Sequence, residues 1–317
     1  MNNEQKAKTS FPERSRLYQH HHVDSKRWDD FKPRTDDIVI ATTYKAGTTW
    51  MQTIVGNLIF WESELPGPIR KLSPWYELRS FPKEYTDNLL EEQTHRRFLK
   101  THLPLDTIPY FPEVKYIYVG RDGRDIFMSF WNHYRSYTQE FLDILNNTPG
   151  RVGDPLPPCP EDIHALWKNW ISKGWFEWEE DGYPFGSVFD NVKTWWDFRH
   201  LPNIHFVHFN DLLQDLEGEI RRVARFLEIE VGEDIWATLA EKASFATMKK
   251  KADEVTPLRE GIFTGGPQQF IYKGTNGRWR GVLSEDDLRL YDQVVKNHLS
   301  PDCAKWLENG GAIENSP

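Results

Sequence analysis

The sequence predicts an α/β protein, a single domain with a mainly parallel central sheet flanked by helices on both faces. Three observations carry that expectation. Residues 38–41, Ile-Val-Ile-Ala, form a short continuous apolar run of the kind found in strands buried on both faces. A turn at residues 43–47 follows, and then Met51, Ile54, Val55, Leu58 and Ile59 take the i, i+3, i+4, i+7 and i+8 positions of one helix face. Beyond them, short β-branched or aromatic runs alternate with helical patterns, the signature of parallel strands joined by helical crossovers.

The elements can be taken in order. Residues 1–35 read as a polar N-terminal segment, and 36–310 as one domain that no linker divides. Within the polar segment, the histidine triplet His20, His21 and His22 is expected on a solvated surface, since no Cys or acidic partner stands at metal-ligand spacing. The first strand–turn–helix unit places Thr48 and Thr49 where an N-cap belongs. Phe98–Thr101, residues 114–119 and Ile204–His208 are the further strands. Helices are expected over residues 125–134, 188–198 and 212–227 and over Glu285–His298. Residues 147–161 and 258–277, rich in Gly and Pro, interrupt this rhythm as long irregular segments, either lids and binding loops or plain surface loops.

Composition limits the function. The 317 residues carry 39 Lys+Arg against 48 Asp+Glu, a formal net charge of −9, which argues against a general nucleic-acid binder. An anionic ligand must therefore be held by a local basic site, because the overall field repels it. Aromatic residues at 14%, including 14 Trp, exclude a disordered chain. Cys159 and Cys303 form neither a disulfide framework nor a zinc spacing and suit a reducing compartment. No signal sequence and no membrane span are apparent. The expectation is a soluble, cytoplasmic protein with no stable membrane insertion.

Chemistry is concentrated at the strand ends. In Lys45-Ala46-Gly47-Thr48-Thr49-Trp50 the first turn aims backbone N–H groups and a helix dipole at one point, with Lys45 adding charge, Gly47 allowing close approach and the threonines supplying hydroxyls. A Walker A loop places Lys after its second Gly, whereas Lys45 precedes the only Gly here, so a metal-dependent NTPase is not supported. Read alone, the turn could be an ordinary strand–helix junction. Arg121, at the end of the third run, and Ser129, two helical turns later, can converge on a second anion, although Arg121 and Arg124 beside Asp122 and Asp125 could equally form a salt-bridged turn. His102 stands at another strand end, the edge where ligands of open α/β sheets collect, and its pKa class suits a general base.

Taken together these segments resemble the cytosolic sulfotransferase family, which uses 3′-phosphoadenosine 5′-phosphosulfate (PAPS) as sulfuryl donor and releases 3′-phosphoadenosine 5′-phosphate (PAP). The resemblance runs through at least five segments between about residues 37 and 281, in the family's order. It implies that Lys45, Ala46, Gly47, Thr48, Thr49 and Trp50 form the 5′-phosphosulfate loop of a P-loop-like fold. Arg121 and Ser129 would grip the 3′-phosphate, and Lys273 and Gly274 of Tyr272-Lys273-Gly274 would close over it. Trp50, Phe209 and Phe245 would flank adenine. Lys100-Thr101-His102-Leu103-Pro104 is the family's catalytic motif residue for residue, with His102 as base and Lys45 and Lys100 as assisting cations. No metal is implied.

This chain also departs from the pattern. Thr43-Tyr44 replaces Tyr-Pro before the loop Lys, Asp122-Gly123 replaces Asn-Pro, Tyr272 replaces an Arg, and Arg278 replaces an Asp and could supply the lost charge from another side. The family's dimer motif is degraded at Arg280-Gly281-Val282-Leu283-Ser284-Glu285, with Arg289 where it has Glu, which implies a monomer or a different dimer. The expected acceptor is the hydroxyl of a small apolar molecule: a phenol, alcohol, sterol or lipid. Trp167, Trp170, Trp175, Phe176 and Trp178 read either as a packed helix face or as a pocket wall. A nucleotide-dependent phosphotransferase and a non-catalytic nucleotide-binding module are the alternatives.

Overall fold

The computed structural model describes residues 11–256 and 261–313. Four parallel strands form one sheet in the order β2-β1-β3-β4: β1 (Ile38–Thr42), β2 (Phe98–Thr101), β3 (Lys115–Gly120) and β4 (Ile204–His208). Ile38 pairs with Phe98 on one side and Lys115 on the other, and Tyr116 pairs with Ile204. The run at 38–41 is apolar throughout because side chains alternate between two buried faces. Ile38 and Ile40 enter one core with Phe98, Ile117 and Val207. Val39 and Ala41 enter the other with Leu99, Tyr118 and Phe206.

Helices cover both faces. On the first lie α1 (Thr48–Ile59) and, later in the chain, Leu216–Leu227. On the second pack α2 (Lys83–Glu91), α3 (Gly123–Tyr134), α4 (Gln139–Asn146), α5 (Ile163–Ser172) and α6 (Phe189–Trp196). The stretch expected as one helix over 212–227 is two, α7 (Phe209–Gln214) and α8 (Leu216–Leu227). Asp215 divides them and caps α8 by accepting from the Gly218 N–H. α9 (Trp236–Lys242), α10 (Phe245–Lys250), α11 (Glu285–His298) and α12 (Pro301–Asn309) follow, and Ile69–Leu72 and Ala252–Val255 are further helices of four residues each. The helix expected at 125–134 begins two residues earlier, where Asp122 caps it, and α6 is shorter at both ends than 188–198.

Two further expectations are corrected. Thr48 and Thr49 do not cap α1: Gly47 holds the cap position at φ +118°, and no side chain bonds there. The histidine triplet is not solvated; His20, His21 and His22 are all buried. The segment carrying them is strapped to the domain by Arg16, which pairs with Asp106 at 2.7 Å and Asp190 at 2.9 Å, and by Tyr18, whose hydroxyl donates to Glu179 at 2.5 Å. Residues 147–161 are irregular as expected. The 258–277 stretch contains one short helix, Pro267–Phe270, and its residues 258–260 lie outside the described residues.

Candidate active site

Strands of a parallel sheet deliver whatever follows them to one edge, and this sheet delivers four functional groups there. Thr42 ends β1 and the turn to Gly47 follows it, His102 follows β2, Arg121 follows β3 and Phe209 follows β4. A single cavity at that edge is lined by Lys45, Gly47, Thr48, Thr49, Trp50, Lys100, His102, Arg121, Ser129, Phe209, Phe245, Lys273, Gly274 and Arg278. The structure thus brings together every site residue expected from sequence except Ala46, which is buried beneath the loop.

The loop is built for close approach. Lys45 adopts φ +70° and Gly47 φ +118°. A Cβ on Gly47 would lie 3.0 Å from the Phe209 ring. No side chain caps α1, so its first N–H groups are left open at the positive end of the helix dipole, where Thr48 and Thr49 line the cavity. At the opposite wall Gly274 has φ +63°, and its Cβ would fall 2.2 Å from the Phe245 ring, so the chain there presses directly on the aromatic. Trp50 meets Phe209 edge-on at 5.1 Å and donates its indole N–H to the Ala243 carbonyl at 2.8 Å.

Arg121 ties the two walls together. It donates to the Lys45 carbonyl at 3.2 Å, to the Thr275 carbonyl at 3.1 Å and twice to Asn276 Oδ1, at 2.9 and 2.7 Å, which leaves one Nη1 hydrogen for a ligand. Its guanidinium lies 3.9 Å from the Phe209 ring centroid. Arg124 pairs with Asp122 at 2.6 Å, so the salt-bridged reading of that turn holds for Arg124 and not for Arg121. Arg278 lines the cavity, and its buried Nε has no hydrogen-bond partner among the described residues.

His102 is held by what surrounds it. Its Nδ1 lies 3.0 Å from the Thr42 carbonyl and 3.0 Å from Thr42 Oγ1, and the latter meets Thr48 Oγ1 at 2.6 Å. A carbonyl only accepts, so Nδ1 carries the proton and the lone pair of the neutral ring sits on Nε2. The ring stacks on Tyr44 at 4.5 Å and abuts Trp75 at 4.8 Å. Tyr44, which stands where the related family has proline, thus serves as a platform for the imidazole. Burial, followed by the charge of Lys100, holds the His102 pKa well below the usual imidazole value. Burial, with Arg121 and Lys100 nearby, lowers Lys45 to about 7; burial lowers Lys100 to about 8 against the pull of Glu77.

Several participants escape a motif reading. Glu77, fully buried, accepts from the His102 N–H, Thr101 Oγ1, and the indoles of Trp75 and Trp28. His22, Trp75, Phe81, His133, Tyr137, Phe141, Ile144, Leu145, Phe185 and Phe270 line the rest of the cavity. No single motif marks them, because they come from five separate stretches, of which only residues 133–145 show a regular three- and four-residue step. None of the tryptophan-rich stretch is among the cavity's lining residues; the packed-helix reading holds for Trp167 and Trp170, buried on α5, while Trp175, Phe176 and Trp178 follow that helix and Trp178 is exposed. The family described as "Sulfotransferase domain" matches residues 35–303. A glycolipid sulfotransferase of Mycobacterium bovis is 32% identical over 304 residues, covering 91% of this chain and 92% of the relative. Sulfotransferase 1E1 of Homo sapiens is 28% identical over 287 residues, 86% of this chain and 88% of its own. Among solved structures, mouse sulfotransferase SULT7A1 complexed with PAP matches with a TM-score of 0.66 at 21% identity, covering 89% of this chain and 91% of that one.

Proposed function

Because the chain belongs to the sulfotransferase domain family and is a PAPS-dependent sulfotransferase, we propose that it moves the sulfuryl group onto the hydroxyl of an apolar, lipid-like acceptor with His102 as general base. The observation that carries this reading is the His102 ring itself: Nδ1–H is committed to the Thr42 carbonyl, so Nε2 offers its lone pair in the same cavity as the phosphate loop.

The residues present suit the donor. The loop N–H groups and Lys45 would take the 5′-phosphosulfate. The free Nη1–H of Arg121, Ser129, Lys273 and the orphaned Nε of Arg278 would meet the 3′-phosphate. Trp50, Phe209 and Phe245 offer stacking surfaces worth roughly 1–3 kcal/mol per base. In the transfer His102 Nε2 takes the acceptor's hydroxyl proton as the acceptor oxygen bonds to sulfur. The bond from sulfur to the bridging oxygen breaks, and that oxygen leaves on the 5′-phosphate with the electron pair. Lys45 neutralises the charge growing there, and Lys100 steadies the transferring group. No metal enters this scheme.

Two supports favour a lipid-like acceptor. The acceptor end is walled by Trp75, Phe81, Phe141, Ile144, Leu145 and Phe185, and Phe81 and Ile144 remain 38% and 37% exposed at its rim. The Mycobacterium bovis relative is named for a glycolipid. The altered segment around Arg280 and Arg289 favours a monomer or a different dimer, and the free thiols Cys159 and Cys303 fit a cytoplasmic location. The test is ³⁵S transfer from labelled PAPS to a panel of phenols, sterols, glycolipids and free sugars, with His102→Ala alongside. His102→Ala should lose turnover and keep PAP binding by calorimetry; substantial residual turnover would reassign the base, and transfer only to free sugars would overturn the acceptor class.

A further inference from the structure

On α3, Ser129 and His133 are four residues apart and therefore share the face that lines the cavity. His133 is not part of any motif in the sequence, yet its ring is bonded at both nitrogens. Nδ1 lies 3.3 Å from Lys45 Nζ, and Nε2 lies 3.0 Å from the Tyr137 hydroxyl. An ammonium only donates, so beside a charged Lys45 the Nδ1 position must carry the lone pair. Nε2–H then donates to the Tyr137 oxygen, and the Tyr137 O–H hydrogen is left free for the cavity.

The arrangement is fixed from outside. Tyr137 bridges to Phe263 along the backbone and stacks on its ring at 5.8 Å, while its edge meets Phe141 at 4.8 Å. The Lys45 ammonium is held between the imidazole and the Phe270 ring, 4.4 Å from the ring centroid. Among the described residues the other charged groups that act on it offer no acceptor: Arg121 after β3 and Lys100 on β2 both repel it. His133 in turn is faced by Lys45, by His22 of the N-terminal strap, and by Lys100 and His102 from the β2 end. In this ring of positive and neutral groups, Nδ1 is an uncharged lone pair directed at the loop lysine.

We propose that His133 is a positioning residue for sulfuryl transfer, accepting from the Lys45 ammonium to keep it charged and aimed while its other nitrogen orients the Tyr137 hydroxyl toward the acceptor. The proposal rests on the sulfuryl-transfer reading above for its kinetic consequence and on the coordinates alone for the Lys45 contact. Removing the lone pair costs a bond to a charged group, which sets the expected loss in kcat at about 10- to 100-fold.

The experiment compares the full chain with His133→Phe and His133→Asn. Phe keeps a ring and removes both nitrogens; Asn places an oxygen where Nδ1 stood. His133→Phe should lower kcat by the stated factor, leave PAP affinity within about threefold, and shift the alkaline limb of kcat to lower pH. His133→Asn should recover most of kcat and return the limb. Independently of turnover, the Lys45 side-chain NMR resonance in the nucleotide-free protein should titrate at lower pH in His133→Phe than in wild type and recover in His133→Asn. Equal losses in both variants with an unmoved Lys45 titration would reduce His133 to packing and overturn the proposal. An absence of ³⁵S transfer by the wild type would instead sink the functional reading, with the Lys45 titration still judging the contact.

Discussion

Replacing Glu77 by glutamine isolates the group that organises the base side of the cavity. The carboxylate is fully buried and accepts four donors. Oε1 takes the Trp75 indole at 2.6 Å, the His102 N–H at 2.8 Å and Thr101 Oγ1 at 3.0 Å; Oε2 takes the Trp28 indole at 3.2 Å. Four donors require an acceptor at both oxygens, so this group works as a carboxylate even though burial pushes its pKa up. In Glu77→Gln the amide oxygen can keep the three-donor side, and the new NH₂ then faces the Trp28 N–H, donor against donor. One charge-assisted bond is lost, a buried indole N–H is left unsatisfied, and the three remaining bonds weaken, losses of roughly 1–3 kcal/mol for each of the first two effects. Relief of the buried charge's desolvation offsets part of this. The expected net destabilisation is about 2–4 kcal/mol, read from the urea midpoint at unchanged slope. Because the amide oxygen still holds the His102 backbone, kcat should fall only a few-fold, whereas Glu77→Leu should lose both stability and turnover. A Glu77→Gln protein as stable as wild type would show that the carboxylate's burial costs as much as its four bonds return, and the reasoning would fail.

Further outcomes follow from the same site. Gly274→Ala forces a left-handed alanine, at about 1–2 kcal/mol, and drives its Cβ into Phe245; calorimetry should show PAP binding weakened about tenfold or more with folding retained. As the proposed base, His102 must be neutral to take a proton, and burial holds its pKa well below 6.5, so kcat/KM should hold as pH falls through 6.5 and decline only below it. An acid limb at or above 6.5 would contradict the burial of that ring. On the alkaline side Lys45, lowered to about 7 in the free protein, should make kcat/KM for the donor fall as pH rises past that value, while kcat, read with the phosphates bound, holds to higher pH. Light scattering should return a monomer, or a dimer whose contact leaves the segment around Arg280 open to protease; a dimer burying that segment would restore the family's mode.

What could be read in the sequence was local. The proposed donor loop is contiguous, and the chemistry proposed for it needs only backbone N–H groups, a lysine and a glycine, so Lys45–Trp50 stands out in the sequence. The error at its cap has a physical reason: a threonine cap would occupy the amides that an anion needs, and Gly47 at φ +118° leaves them open. The merged helix over 212–227 arose because Leu212, Leu216 and Ile220 keep one apolar face across the break, since α7 and α8 pack on the same core. Asp215, a strong capping residue, was the overlooked signal. The histidine triplet misled for a different reason. Composition around it is polar, but Arg16 reaches Asp106 and Asp190, 90 and 174 residues away, and no window of sequence contains that pairing.

The two ends of the cavity differ in legibility because they solve different problems. A phosphosulfate presents fixed charges, and fixed charges demand particular atoms at particular strand ends, which evolution can place only with a short and recognisable string of residues. An apolar acceptor demands shape, and shape can be met by any large side chains that reach the space. On the proposed reading it is met by Trp75 and Phe81 ahead of α2, Phe141 to Leu145 on α4 and Phe185 before α6, with His22 from the strap lining the same cavity. The strap is part of that wall, since His22 lies 5.0 Å from Phe185 and 6.1 Å from Trp75, ring to ring. Arg16 and Tyr18, which are not among the lining residues, hold the strap that carries His22, and on the proposed reading they bear on acceptor fit through its position. On the proposed reading, acceptor choice depends on how distant segments pack, so it can differ from that of a relative sharing every residue of the proposed donor loop.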